Sequence, residues 1–146
     1  MKTIATHAAT AALASLVTYI ALTPESILPT AQAQQPPAGL KQTELFKTTM
    51  NDVLGRVLSV RVLERDPGTG AGAHRHPGSH TVGYVLEGSY EVKIDDGPVR
   101  KLGPGEVFYE APNALHAVSR NGSKTASVKY LVVQVSDPTK PATVPE

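Results

Sequence analysis

Histidines are concentrated in one part of this chain. Four of the five are His74, His76, His80 and His116. Alternation along a β-strand sends residues i and i+2 to the same face, so His74 and His76 would project side by side. Two neutral imidazoles on one face can share a metal ion, and imidazole suits Zn, Cu, Fe and Ni. His116 is distant in the sequence and could join them only from a neighbouring strand of a closed sheet.

The elements that would position these histidines are predicted to be short β-strands. Runs rich in β-branched residues occupy 57–64, 81–87, 89–94 and 127–135. Turn residues interrupt them at 66–68, 95–97 and 121–122. This pattern is typical of an all-β sandwich or barrel, and a two-sheet jelly roll of this size leaves an interior that can hold a ligand. The first strand, around 44–50, is expected to pair with the edge of a second subunit.

The two ends of the chain are predicted to lie outside the barrel. Lys2, the apolar run 11–22 and the small-x-small pattern at 31–33 predict a secretory signal peptide over residues 1–33, with an uncleaved amino-terminal anchor as the alternative. We therefore expect a periplasmic or secreted protein. The absence of cysteine means that this exported fold would stand without disulfides. Residues 34–40 are predicted to be a linker and the proline-rich residues 137–146 a flexible tail, which leaves 41–136 for the barrel.

The charge pattern argues against two classes of partner. The formal net charge is +1. The sequence has neither a basic block nor an acidic tail, so it gives no support for binding nucleic acid or, after signal removal, a membrane.

Two motifs resemble those of the cupin family. Gly68 is followed after five residues by His74 and His76, and the YVLEG of residues 84–88 is similar to the family's usual ending of its first motif. The second motif starts at Gly105 and runs through His116. The resemblance implies a small single-domain cupin, which is a double-stranded β-helix or jelly-roll barrel. It also implies a divalent transition metal, a small-molecule ligand inside the barrel, and a homodimer.

Two departures from the family pattern affect the expected ligand set. The family's glutamate position falls on Thr81, which is a poor metal ligand. Its neighbour His80 would reach the interior if the segment 77–79 forms a bulge, so His80 is predicted to join His74, His76 and His116 as a metal ligand. In the second motif Asn113 stands where glycine is usual. Asparagine tolerates a left-handed backbone, so the turn before His116 should survive.

Glu110 and His80 are the candidate catalytic residues. Glu110 is either an acid or base inside the barrel or a strand-end carboxylate paired with Arg75 or Arg120. The second interpretation is favoured because isolated charges are mostly surface features.

Two classes of function follow from a histidine-rich barrel site. The first is a metal-dependent oxygenase, isomerase or lyase that acts on a small oxygenated molecule, with Fe, Mn, Zn or Ni as the ion. The second is an exported small-molecule or metal binding module without turnover. The fold cannot decide between them, because one barrel carries many unrelated activities.

Overall fold

The computed structural model describes residues 38–146, and within this part of the chain the regular elements are β-strands. Their bounds are β1 Leu40–Thr49, β2 Val57–Arg65, β3 Gly70–Ala71, β4 His74–Arg75, β5 Ser79–Glu87, β6 Tyr90–Ile94, β7 Arg100–Leu102, β8 Val107–Glu110, β9 Leu115–Asn121, β10 Val128–Ser136 and β11 Val144–Pro145. The turn-punctuated sequence pattern therefore predicted the element type correctly.

The strands form two antiparallel sheets. One has the order β1-β2-β10-β5-β8, and the other has the order β11-β4-β9-β6-β7 with β3 also paired to β9. Neighbours in each sheet are mostly distant in sequence, as expected for a jelly roll rather than a simple meander. The predicted fold class, an all-β double-stranded β-helix, is confirmed.

The apolar core joins the two sheets through stacked aromatic rings. Tyr90 on β6 stacks on Phe108 of β8 with ring centroids 5.3 Å apart, and on Tyr130 of β10 at 4.6 Å. Gly83 makes room for this packing, because a Cβ at that position would lie 2.1 Å from the Phe108 ring. The missing side chain of Gly83 thus lets β5 and β8 close over the core.

Two turns contain a residue with a left-handed backbone, and the one at Asn113 was expected from the sequence. Asp95 has φ +48° in the turn between β6 and β7, and Asn113 has φ +66° in the turn before β9. Asparagine accepts this conformation at low cost. The turn that precedes His116 therefore forms with Asn113 at the position where glycine is usual.

The segment predicted to be a flexible tail packs against the barrel instead. Its strand β11 pairs with β4, with Val144 opposite Arg75. Arg75 also donates to the Glu146 carboxylate from its Nε, at 2.8 Å. These contacts hold the last residues beside the predicted metal ligands, a proximity that a proline-rich composition does not reveal.

The predicted signal peptide and residues 34–37 of the predicted linker lie outside the described residues. At the other end of that linker, β1 begins at Leu40. β1 is an edge strand of its sheet, and its residues are largely exposed.

None of the described residues belongs to a helix long and apolar enough to cross a membrane.

Candidate metal centre

Three histidines from β4, from the residue after it and from β9 lie close together beside the cavity between the two sheets. His74 on β4 stands directly opposite His116 on β9, and His76 follows β4 immediately. The His74 ring lies 4.9 Å from the His76 ring and 4.9 Å from the His116 ring, measured between centroids. One ring nitrogen from each histidine can be chosen so that all three lie within 4.8 Å of one another. The predicted convergence of these three residues is therefore seen in the geometry.

Backbone carbonyls orient two of the rings. The Nδ1 of His74 donates to the Gly72 carbonyl at 2.7 Å, and the Nδ1 of His76 donates to the Ala142 carbonyl at 2.6 Å. Since a carbonyl can only accept, Nδ1 carries the hydrogen and Nε2 of the neutral ring keeps its lone pair. Burial, partly offset by the Gly72 hydrogen bond, lowers the pKa of His74. The lowered pKa favours the neutral imidazole of His74, which is the form that a metal requires.

Glu110 is buried among these histidines, so the preferred interpretation of it as a surface carboxylate is wrong. Its side chain is 2% exposed, with Oε1 3.2 Å from His116 Nδ1 and Oε2 3.8 Å from His76 Nε2. The two arginines considered as partners are paired elsewhere, Arg75 with Glu146 and Arg120 with Glu91. A carboxylate therefore belongs to the site.

Unpaired polar atoms show that this cluster suits a cation. Among the residues that the structure describes, Glu110 Oε2 and both ring nitrogens of His116 are buried and have no hydrogen-bond partner. His76 Nε2 and Glu110 Oε2 face each other as two lone-pair donors, with no hydrogen between them in the neutral ring. Such an arrangement is unfavourable unless a cation lies between the donors. Three neutral imidazoles are also a suitable donor set for a divalent transition metal, and Glu110 places a carboxylate beside them.

His80 does not belong to this group, which corrects the predicted four-histidine set. Its side chain is exposed on the outer face of β5, where Nδ1 hydrogen-bonds to the Tyr109 hydroxyl at 2.7 Å. Strict alternation continues through β5, so Thr81 points inward and His80 outward. No bulge at the start of the strand reverses this register.

The histidines open into a large cavity between the sheets. Its volume is about 860 Å³, within the usual range for small-molecule sites. Besides the three histidines and Glu110, the polar residues of its wall are Gln42, Arg61, Arg65, Thr81, Tyr90, Ser119, Tyr130, Thr143 and Gln134.

The sequence prediction missed Arg61 and Arg65. The available signal was the alternation of β2, which places Ser59, Arg61, Leu63 and Arg65 on one face.

Comparison with known proteins places the chain in a family. The model of the cupin domain family matches residues 61–134, which is half of the chain. The match spans β2 to β10 and so includes the three histidines and Glu110. The chain belongs to the cupin family.

Solved structures with the same fold include proteins of different activities. The DMSP lyase DddQ from Ruegeria pomeroyi is 24% identical with a TM-score of 0.52, over 60% of this chain and 42% of the lyase. Protein TT1209 from Thermus thermophilus is 26% identical with a TM-score of 0.56, over 73% of this chain and 91% of its own. A recombinant oxalate oxidase in complex with glycolate is 25% identical with a TM-score of 0.56, over 75% of this chain and 56% of the oxidase. The chain spans less than half of the lyase.

No curated protein matches the sequence.

Proposed function

We propose that this protein is an exported metal-binding cupin that acts on a small oxygenated molecule as an oxygenase, isomerase or lyase. One observation carries the proposal. His116 and Glu110 have buried ring-nitrogen and carboxylate-oxygen atoms without a hydrogen-bond partner among the described residues. These atoms lie beside the rings of His74 and His76, which backbone carbonyls orient. The similar structures include a lyase and an oxidase, which supports enzymatic use of such a site.

The residues of the site would have three different roles: metal binding, proton transfer and exclusion of water. His74, His76 and His116 would hold the ion, with the carbonyls of Gly72 and Ala142 fixing two of the rings. A bound divalent metal supplies Lewis acidity toward a ligand oxygen. Glu110, whose Oε2 lacks a hydrogen-bond partner among residues 38–146, would take a proton from the bound molecule or return it. The cavity wall, with Phe108 and Tyr130 beside the polar groups, would exclude bulk water from the bound molecule.

An activity screen tests the enzymatic part of this proposal. Protein loaded in turn with Fe, Mn, Zn and Ni is given diketones, catechols, flavonols and uronates, while oxygen uptake and substrate loss are recorded. We expect turnover with one metal and its abolition in Glu110→Gln, whereas Glu87→Gln, an exposed carboxylate, serves as the matched control. Metal and ligand binding without turnover would support the alternative function, a non-catalytic binding module.

Export and self-association are further parts of the proposal. The signal-like residues 1–33 support export, which fractionation of cells expressing the full-length chain tests. The edge of β1, which pairs with no other strand of residues 38–146 and carries exposed Leu45 and Phe46, supports pairing with a second copy. Sedimentation of the wild type and of Phe46→Glu tests a homodimer, which the charged side chain should weaken.

A further inference from the structure

Two arginines line the same cavity as the histidines. Arg61 and Arg65 lie on the inner face of β2, alternating with Ser59 and Leu63. Arg65 is 3% exposed, and Arg61 is partly buried. A guanidinium is always charged, and a buried charge is costly unless an opposite charge or hydrogen-bond acceptors surround it. The partners of these two side chains are therefore informative.

Both guanidinium groups keep unused donors. Within the described part of the chain, three buried donor atoms lack a hydrogen-bond partner: Arg65 Nε, Arg65 Nη1 and Arg61 Nε. Arg61 uses Nη2 to donate to Gln134 Oε1 at 2.8 Å. Among residues 38–146, none of the ion pairs within 4.0 Å includes either arginine. The unused donors point to an acceptor that residues 38–146 do not provide.

The acids near this cavity do not neutralise the pair. Glu110 contacts His76 and His116 instead. Glu44, opposite Arg61 on β1, makes no ion pair with it, although its charge partly offsets the lowering of the Arg61 pKa by burial. With neutral histidines, the charged groups of the wall are two guanidiniums and one carboxylate. A divalent ion at the histidines would make this excess of positive charge larger.

We propose that Arg61 and Arg65 form a subsite for the carboxylate of a small organic acid. The planar fork of a guanidinium matches the two oxygens of a carboxylate, and such charge-assisted pairs are strong where water is excluded. The cavity also contains the three histidines, so an oxygen elsewhere on the same acid can approach the metal centre. The carboxylate subsite exists with or without a metal, but its assignment as a substrate subsite depends on the proposed function.

Calorimetric titration with a minimal acid tests this assignment. Glycolate and malate are titrated into protein purified from the full-length sequence, both metal-free and metal-loaded, with glycolamide as the uncharged analogue of glycolate. We expect an acid to bind in both forms and glycolamide to bind at least about tenfold more weakly, because it lacks the charge that the arginines recognise. Arg61→Met and Arg65→Met should each weaken acid binding by about tenfold or more.

Two further variants keep the result interpretable. Arg100→Met removes the same charge from an exposed side chain and should leave acid affinity unchanged. Arg65→Lys retains a buried cation, so it should fold if Arg65→Met does not, and it should bind acid more weakly than the wild type because it lacks the fork. Equal acid affinity in the wild type, Arg61→Met and Arg65→Lys would overturn the proposal, as would equal binding of glycolate and glycolamide or no acid binding at all.

The outcomes separate this inference from the proposed function. Acid binding that depends on Arg61 and Arg65 in a protein that takes up no metal would retain the subsite and reject the metal-dependent enzyme. Normal metal uptake with no discrimination between glycolate and glycolamide would reject the subsite and retain the metal centre.

Discussion

Thr81 on β5 stands directly opposite Glu110 on β8. Both are buried, at 3% and 2% exposure, and directly paired residues in antiparallel strands have Cβ atoms about 4.5–5.5 Å apart. The family resemblance places a glutamate at Thr81, and here the carboxylate comes from its cross-strand partner. Thr81 instead accepts a hydrogen bond from Gln134 Nε2 at 3.1 Å. The site thus keeps a carboxylate on the same part of its wall, supplied by the neighbouring strand.

Replacing Glu110 by glutamine should weaken metal binding. The variant keeps the shape of the side chain and removes the negative charge beside His76 and His116. We expect about a 10- to 100-fold loss of metal affinity, the usual effect of changing a group that supports metal ligands. Competition with a chelating dye at constant pH measures this, and Glu87→Gln serves as the control. Equal affinity in both variants would remove Glu110 from the centre.

Gly83 should be intolerant of even one added carbon. A Cβ there would lie 2.1 Å from the Phe108 ring. Overpacking of this kind costs about 1–3 kcal/mol, so Gly83→Ala should unfold at a clearly lower urea concentration than the wild type. Gly72→Ala is the matched control, because nothing lies within 4 Å of its added carbon. Its unfolding midpoint should change little, and a loss equal to that of Gly83→Ala would contradict the packing account.

The metal-free protein should lose stability on mild acidification. Burial lowers the folded-state pKa of His74 below its ordinary value of 6.5. On acidification, the unfolded chain therefore binds this proton at a higher pH than the folded protein does. The contribution of neutral His74 to the free energy of unfolding is full above pH 6.5 and decreases as the pH falls through that value. Urea unfolding at about pH 7.5 and about pH 5.5 measures the decrease. His74→Gln should show a smaller decrease, and an unchanged pH dependence would contradict the assignment.

The carboxyl-terminal segment should support the metal centre. Truncation after Lys140 removes the Ala142 carbonyl that accepts the His76 hydrogen, and we expect about a tenfold or greater loss of metal affinity. Glu146→Gln keeps the strand while weakening the pair with Arg75, which is partly exposed and contributes little. Metal titration should therefore show a loss of affinity in the truncated protein and little change in Glu146→Gln. Equal affinity in the truncated and full-length proteins would show that His76 needs no such support.

The sequence revealed the histidines more readily than the charged residues around them. The strand period places His74 and His76 on one face, and the second motif identifies His116. His80 was misplaced because β5 keeps its alternation through the position where a bulge was expected. Glu110 follows Phe108 by two residues, so the inward ring of Phe108 could have revealed an inward carboxylate.

Arg61 and Arg65 could not be identified by hydrophobic patterning alone. On β2 the apolar residues Leu58, Val60 and Val62 occupy one face and the arginines the other. Patterning assigns the apolar face to the core. Here the arginine face lines the cavity, and only the pairing of β2 with β10 and β1 shows which face that is.

Elemental analysis of three purified proteins tests the metal centre most directly. The wild type, His116→Ala and His80→Ala are expressed from the full-length sequence and measured side by side for transition metals. We predict about one ion per chain in the wild type and in His80→Ala, and little metal in His116→Ala, because His116, unlike His80, lies with His74 and His76. Full metal content in His116→Ala, or an equal loss in His80→Ala, would contradict the three-histidine centre.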